Sequence, residues 1–183
     1  FAGSACYSLY WGIQPSIFGK KIVKLYDKSD IICSIWDYLI NVTEKEILSL
    51  PLLSPGQAIP NNIPKEAKQL IGFWTTKGAT YPTKTMTCQN NWQDKGFWSD
   101  KIRSRIATQL KHIRHFTIEQ KCYTELENQR ATWFIDPPYK VGGDRYSHNQ
   151  IDYDTLSNFC RSRMGQVIVC ENNNANWLPF RIF

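Results

Sequence analysis

The sequence lacks any apolar run close to the roughly 20 residues that a membrane-spanning helix needs. Nothing at its beginning resembles a signal peptide. Its six cysteines include no Cys-x-x-Cys pair, so a disulfide framework or a zinc site has little support. No internal repeat or low-complexity tract is present, which excludes repeat architectures and linkers. We therefore expect a cytoplasmic single-domain protein with reduced thiols and no membrane contact.

Histidine is also scarce, and we predict no metal site. His112 and His115 stand three residues apart, with Glu119 downstream. That spacing could hold a metal ion. Two histidines on a basic segment are more often surface residues, and the sequence favours that interpretation here.

The chain does contain an alternation of strand and helix patterns over 183 residues. Runs rich in β-branched residues predict strands, and apolar residues spaced three and four apart predict helices. Strands that alternate with helices indicate an α/β fold with a parallel sheet. The predicted segments are a strand ending at Asp27, a helix in KSDIICSIWDYLI, a helix from Pro64 to Gly78, an amphipathic helix in FWSDKIRSRIATQLKHIR, the strands HFTIEQ and ATWFI, a helix in IDYDTLSNFCRSR and the strand GQVIVC.

Positive charge is concentrated in the middle of the chain. Residues 65–114 hold ten Lys or Arg and three acids, a net charge of +7 in a chain whose total is +6. Lys and Arg displace condensed counterions from phosphates, so this block predicts a nucleic-acid-binding surface. Solvated helix faces account for part of the charge. The residues that we expect to contact nucleic acid are Lys77, Lys84, Lys101, Arg105 and Arg145.

The stretch ATWFIDPPYKVGG, residues 131–143, ends a strand abruptly. Its first five residues are apolar, aromatic or β-branched, which predicts a strand shielded on both faces. Proline fixes its own φ and holds the preceding residue extended, so Asp136 and Pro137 should form a rigid turn with Pro138. Open α/β sheets bind ligands at this edge. A plain turn, with Asp136 exposed and Tyr139 packed on the edge, is the alternative.

Such a turn suits a difficult nucleophile, the exocyclic amine of a nucleobase, whose lone pair is delocalised into the ring. A carboxylate and a backbone carbonyl that accept its two N–H hydrogens would stabilise positive charge developing on the nitrogen. Asp136 and the Pro137 carbonyl supply these acceptors, and the Tyr139 ring supplies a stacking surface. A base must leave the duplex to reach such a site.

The motif DPPY at Asp136–Tyr139, after an apolar strand and downstream of FAGSA at residues 1–5, resembles the Dam-like DNA adenine-N6 methyltransferases. The resemblance implies a Rossmann-like sheet with helices on both faces and an inserted basic recognition segment. It implies methyl transfer from S-adenosylmethionine to adenine N6 in DNA, in a bacterial or phage-infected cell, with or without a restriction partner. Asp136, Pro137, Pro138 and Tyr139 are then the catalytic residues.

The same resemblance assigns the cofactor site. Phe1, Ala2 and Gly3 correspond to a loop whose glycine lets the backbone approach the methionine part of the cofactor. Asp27, at a strand end, corresponds to the acid that binds the cofactor's ribose hydroxyls; a helix N-terminal charge is the alternative. The chain departs from the family at Ala5, where a second glycine is usual.

These motifs predict a methyltransferase core at residues 1–50 and 115–183, incomplete at its N-terminus, and a recognition insertion at 51–114. We expect the loop after the motif, with Gly142 and Gly143 for mobility, to be a lid or a DNA-facing loop. We expect the loop 171–177 to border the base pocket, with a plain loop as the alternative. The rival functions are cytosine-N4 methylation, where relatives more often carry Ser in place of Asp136, RNA or protein amide methylation, and a non-catalytic nucleic-acid-binding remnant.

Overall fold

The structure, a computed structural model, describes residues 3–13, 22–76, 78–87 and 96–181. The candidate cofactor residues Phe1 and Ala2 and the candidate DNA contact Lys77 lie outside the described residues. The helices and strands, in chain order, are α1 (Cys6–Ile13), β1 (Val23–Asp27), α2 (Asp30–Asn41), α3 (Glu44–Ser49), α4 (Lys65–Trp74), α5 (Asp100–Gln109), β2 (Phe116–Gln120), β3 (Ala131–Ile135), α6 (Tyr153–Ser162) and β4 (Gly165–Val169).

The strands pair in parallel, as the alternation of strands and helices predicts. Strand β1 pairs with β2, and β3 pairs with β4, each over five residues. In the described part of the chain these pairs form two two-stranded sheets. Parallel neighbours need a crossover connection; α2 to α5 lie between the first pair and α6 between the second. The mixed α/β organisation with short parallel sheets is therefore confirmed.

Capping residues set where the helices begin. The Ser29 side chain accepts a hydrogen bond from the Ile32 amide and starts α2. Ser99 does the same for α5, which therefore begins at Asp100, three residues after the predicted start. Thr43 and Glu46 form a reciprocal capping box at α3, a short helix that the hydrophobic pattern did not predict.

Helix α4 is shorter than predicted and illustrates how tertiary contacts end a helix. It begins after Pro64, as expected, but ends at Trp74 rather than continuing to Gly78. The Thr75 hydroxyl donates to the Gly72 carbonyl, and the Trp98 amide donates to the Trp74 carbonyl. These bonds use carbonyls that further helix would need, so the chain turns away.

Two hydrophobic clusters hold the described elements together. The larger joins α2 to α5 with β1 and β2, and its fully buried side chains include Trp98, Ile47 and Leu110. The smaller surrounds β3 and β4 and is centred on Leu156 and Trp177. Apolar side chains of the segment 51–114 belong to the larger cluster, where α4 packs on α2 and α5 packs on α3.

The prediction that β3 is shielded on both faces is wrong. Ala131 and Thr132 are exposed, and among the five residues only Ile135 is buried. The reason is the small size of the covering elements. Trp133 packs edge-on against Phe159 of α6. Phe134 packs against Tyr7 of α1. Neither helix reaches the start of the strand.

None of the helices in the described ranges has the length and apolar content that crossing a bilayer requires.

Candidate active site

Asp136 stands where the sequence predicts, directly beyond the carboxyl end of β3. The Cys170 amide donates to the Ile135 carbonyl at 2.9 Å, which extends the β3–β4 pairing to the start of the motif. Asp136 is exposed, whereas Pro137 and Pro138 are buried. The turn is therefore anchored by its prolines and presents its carboxylate to solvent.

The carboxylate of Asp136 is partly desolvated on its protein side. Burial raises the pKa of Asp136, and a hydrogen bond with Tyr139 opposes the shift. Burial also raises the pKa of the Cys170 thiol, with a second contribution from the Asp136 charge. The Asp136 side chain is thus open to solvent on one side and shielded from solvent by the protein on the other. A carboxylate that accepts hydrogen bonds from a neutral polar ligand requires this arrangement.

Two contacts fix the backbone of the turn. The Tyr153 hydroxyl of α6 donates to the Pro138 carbonyl at 2.8 Å. The Gly143 amide donates to the Tyr139 carbonyl at 3.1 Å, and a Cβ atom at Gly143 would lie 2.3 Å from that oxygen. Among the described residues no donor bonds the Pro137 carbonyl, the acceptor predicted to work beside Asp136.

Glu171, the second residue after β4, braces the motif. Its carboxylate accepts hydrogen bonds from the amide of Lys140 at 3.2 Å, the amide of Asn172 at 2.8 Å and the indole N–H of Trp177 at 2.7 Å. Asn172 also donates to the Val141 carbonyl at 2.7 Å. The loop after β4 therefore contacts the turn, as expected, but the sequence did not predict this role for Glu171. The available signal was an acid at the end of a parallel strand.

The candidate cofactor residues Gly3 and Asp27 lie together although 24 positions separate them. The Gly3 amide donates to Asp27 Oδ2 at 3.2 Å, and the Ser29 amide donates to Asp27 Oδ1 at 2.8 Å. The Trp36 indole donates to the Gly3 carbonyl at 2.8 Å. Asp27 thus accepts a hydrogen bond at the start of α2, a structural role at the helix N-terminus like the one that the sequence left as the alternative. It also holds the Gly3 loop.

The Gly3 loop has a backbone conformation that favours glycine. Gly3 has a φ of +46°, and no atom lies within 4 Å of a Cβ built there. Ala5 also has a positive φ, +44°, and is buried. A glycine would adopt that conformation without strain. The Gly3 face of the loop is open to an approaching molecule.

Helix α1 joins the Gly3 loop to the strand that carries Asp136. The Tyr7 ring of α1 stacks on the Phe134 ring of β3, with centroids 4.7 Å apart and planes within 2° of parallel. Phe134 precedes Asp136 by two residues. The candidate cofactor loop and the candidate catalytic turn are thereby connected through one rigid aromatic contact.

The candidate DNA contacts that the structure describes are all exposed. Lys101 and Arg105 lie one turn apart on α5, and the Arg105 guanidinium lies 5.4 Å from the centre of the Trp74 ring. Lys84 and Arg145 lie on two loops that meet: the Thr80 hydroxyl donates to the Arg145 carbonyl at 3.0 Å. The structure therefore brings the recognition segment to the loop that follows the catalytic motif.

Other features of the described residues do not compete with this site. A cavity of about 390 Å³ between α2, α3 and α4 is lined by Asp37, Glu46 and Glu66, so its charge is wrong for a polyanion. No group of three or more His, Cys, Asp or Glu side chains within the described ranges could hold a metal ion. Comparisons with protein families, curated proteins and solved structures found no match to this chain.

Proposed function

We propose that this chain transfers a methyl group from S-adenosylmethionine to the N6 amino group of adenine in DNA. One observation carries the proposal. A solvent-facing carboxylate, Asp136, stands beside the Pro137 carbonyl on a proline-anchored turn at the carboxyl end of two parallel strands, with the Tyr139 ring next to them. These are the two acceptors and the flat surface that an aminopurine amine requires.

The fold that this proposal requires is a Rossmann-like methyltransferase sheet with a basic recognition insertion. The two parallel strand pairs, with helices between the paired strands, support it. Asp27 is the last residue of β1 and Asp136 directly follows β3, so both lie at the carboxyl end of a strand, where open α/β sheets bind ligands. The contact between Tyr7 and Phe134 supports a common orientation of the two pairs.

The residues present fit an S-adenosylmethionine molecule. Gly3 offers an approachable backbone, and Asp27 is fixed by two amides. When bound, the cofactor would supply an electrophilic methyl group from a sulfonium sulfur, which would keep the electron pair of the broken bond as a neutral thioether, while Asp136 would accept the proton that the amine nitrogen loses.

The protein's own residues act on the amine. Asp136 and the Pro137 carbonyl accept its two N–H hydrogens, which holds the nitrogen lone pair perpendicular to the base. Their negative charge and dipole stabilise the positive charge that develops on nitrogen, and they cost no reorganisation because the prolines fix them beforehand. The Tyr139 ring stacks on the extruded base. Glu171 and Tyr153 position the turn.

Replacing Asp136 by Ala tests the proposal. Methyl transfer to duplex DNA should fall roughly 100- to 1,000-fold, the cost of losing one preorganised polar group at a reaction centre. DNA affinity should stay within about two-fold of wild type, since phosphate contacts supply most of it. Asp154→Ala, which removes an exposed carboxylate from α6, is the matched control and should leave transfer unchanged. Full activity of D136A would refute the mechanism.

The second candidate is a nucleic-acid-binding protein without catalysis. The observation that favours it is the division of the described strands into two separate pairs, one beside Asp27 and the other beside Asp136. Calorimetric titration with S-adenosylmethionine distinguishes the two. Saturable heat that disappears in Asp27→Ala supports the enzyme, whereas no heat together with tight DNA binding supports the second candidate.

A further inference from the structure

Two exposed tyrosines flank the hydrogen bond that joins the recognition segment to the catalytic loop. Tyr81 is 61% exposed and follows Thr80; Tyr146 is 48% exposed and follows Arg145. The Thr80 hydroxyl donates to the Arg145 carbonyl. We call this surface, formed by Tyr81 and Tyr146, the tyrosine ledge. The hydrogen bond brings the two backbone segments that carry these exposed rings together.

The loop that carries Tyr81 is held firmly, so the exposure is a property of an ordered segment. The Thr83 amide donates to the Gly72 carbonyl, and the Thr87 amide donates to the Thr75 carbonyl. A β-bridge joins Ala58 to Thr85. Gly72 packs so closely on this loop that a Cβ there would lie 2.7 Å from Pro82. The Tyr81 backbone is thereby preorganised.

The ledge borders the candidate active site. The Tyr146 amide donates to the Gly143 carbonyl at 3.2 Å, and the Gly143 amide donates to the Tyr139 carbonyl at 3.1 Å. These two hydrogen bonds connect the backbone of Tyr146 to that of Tyr139, whose ring is predicted to stack on the target base. Exposed Val141, between Tyr139 and Gly143, extends the apolar surface on the same loop.

The charges around the ledge favour a polyanion. Exposed Lys84, Lys140 and Arg145 contribute three positive charges, and exposed Asp136 and Asp144 contribute two negative charges, which leaves a net positive charge. Lysine and arginine beside exposed aromatic rings are the arrangement that binds single-stranded nucleic acid, in which bases stack on rings and phosphates pair with cations. A protein partner would not need this surplus of positive charge.

We infer that the tyrosine ledge binds the nucleotides that flank the target adenine in a locally opened DNA strand. This inference rests on the proposed function for the identity of the target. Bases next to the extruded adenine lose a stacking partner when it leaves the duplex. The Tyr81 and Tyr146 rings replace that partner, while Lys84 and Arg145 contact the adjoining phosphates. The ledge thus lowers the cost of opening the duplex.

The test measures binding without cofactor, so that it is independent of methyl transfer. A fluorescently labelled 20-nucleotide single strand and the matching duplex are titrated, at fixed salt, with wild-type protein and with Tyr81→Ala, Tyr146→Ala, Tyr81→Phe and Tyr146→Phe. Tyr10→Ala, which removes a 69% exposed tyrosine from α1, is the matched control. Circular dichroism melting verifies that each variant is folded.

Each Ala variant should weaken single-strand binding roughly 5- to 100-fold, the loss of one base-stacking contact. The Phe variants and Tyr10→Ala should stay within about two-fold of wild type, since Phe keeps the ring. Wild-type affinity in both Ala variants would overturn the inference, as would Phe variants as weak as Ala. If Ala variants lose binding but no protein methylates DNA, the ledge stands and the proposed function fails. If wild type methylates and the Ala variants bind and methylate equally, only the ledge fails.

Discussion

Ala5 combines a buried methyl group with a backbone conformation that side chains disfavour. Its φ is +44°, in the left-handed region, and it is 7% exposed. The left-handed conformation costs an L-residue about 1–2 kcal/mol. This strain lies one residue before α1 and two after Gly3, in the loop proposed to hold the cofactor. The resemblance places glycine at this position, and the backbone geometry gives the physical reason.

Ala5→Gly should therefore leave stability nearly unchanged. Relief of about 1–2 kcal/mol of strain is offset by the lost methyl burial, about 0.8 kcal/mol, and by the unfolded-state freedom of glycine, about 0.4–1 kcal/mol. Ala67→Gly, at a fully buried position inside α4, is the control and should cost about 2 kcal/mol. Urea unfolding measures both. Equal losses would mean that Ala5 is unstrained.

The titration of Asp136 should limit activity at acidic pH. Burial raises its pKa above the ordinary 3.8, and the protonated acid loses the charge that stabilises the amine. Activity should therefore fall as pH drops through a midpoint above 3.8. Tyr139→Phe removes the hydrogen bond that favours the carboxylate, so it should move the midpoint to higher pH. A midpoint that stays in place in Tyr139→Phe would contradict this coupling, as a pH profile of kcat/KM would reveal.

At the scale of elements, the catalytic turn depends on what lies against its backbone. Tyr153, Glu171 and Gly143 each contact the segment from Pro138 to Lys140. Gly143 can approach the Tyr139 backbone this closely because it has no side chain. The sequence suggests that the glycine pair at 142 and 143 provides mobility, but Gly143 is buried against Tyr139. Its part is close packing, and the loop is tied down at that point.

Gly143→Ala should reduce methyl transfer on the order of 10- to 100-fold, because its Cβ would displace the Tyr139 backbone, and a shift of about 1 Å at a reaction centre costs that much. Gly142→Ala is the control. Gly142 has a φ of +85° but nothing within 4 Å of a Cβ, so its substitution strains the loop without moving Tyr139. Transfer rates of folded variants at saturating DNA decide the matter. Equal loss in both variants would assign the effect to loop strain.

Elements were predictable wherever local sequence decides them. The β-branched and apolar runs of β1, β2 and β4 and the stripe of α5 specify their structures directly. Helix ends were less predictable because caps and tertiary bonds set them, as at Ser99 and Trp74. The exposure of Ala131 in β3 could not be predicted, since it depends on how far α1 and α6 extend over the strand.

The candidate site was predictable in part, for the same reason. Asp136 and its prolines form a local motif, and the sequence alone identifies it. The resemblance assigns Gly3 and Asp27 to one cofactor site, but the hydrogen bond between them and their shared contact with α2 required the fold. Glu171 accepts hydrogen bonds from three groups, and one of them, the Lys140 amide, lies 31 residues earlier on another loop. An acid after a parallel strand is the signal in the sequence, but it does not identify the groups that the acid contacts.

At the scale of the whole molecule, the affinity for DNA should fall as the salt concentration rises, because a small set of lysine and arginine side chains contacts phosphates. Lys84, Lys101, Arg105 and Arg145 are exposed. If each neutralises one phosphate, the slope of log K against log salt is about −3.6, from about −0.9 per contact on B-DNA. The double variant Lys84→Ala, Arg145→Ala should lower that slope in magnitude by about 1.8. Lys24→Ala, an exposed lysine on β1, is the control.

Fluorescence anisotropy at several salt concentrations measures these slopes. An unchanged slope in the double variant would remove the loop surface from the interface and leave α5 as the site of contact. A reduced slope for Lys24→Ala would indicate that DNA covers the β1 side of the molecule instead.

The central claim is that this molecule methylates the amino group of adenine, and nucleoside analysis tests it most directly. Duplex DNA is incubated with the protein and S-adenosylmethionine labelled in its methyl group, digested, and its nucleosides are separated. The account predicts label in N6-methyladenine, and roughly 100- to 1,000-fold slower labelling with Asp136→Ala. Label in N4-methylcytosine, or no label from folded protein that binds the DNA, would contradict it.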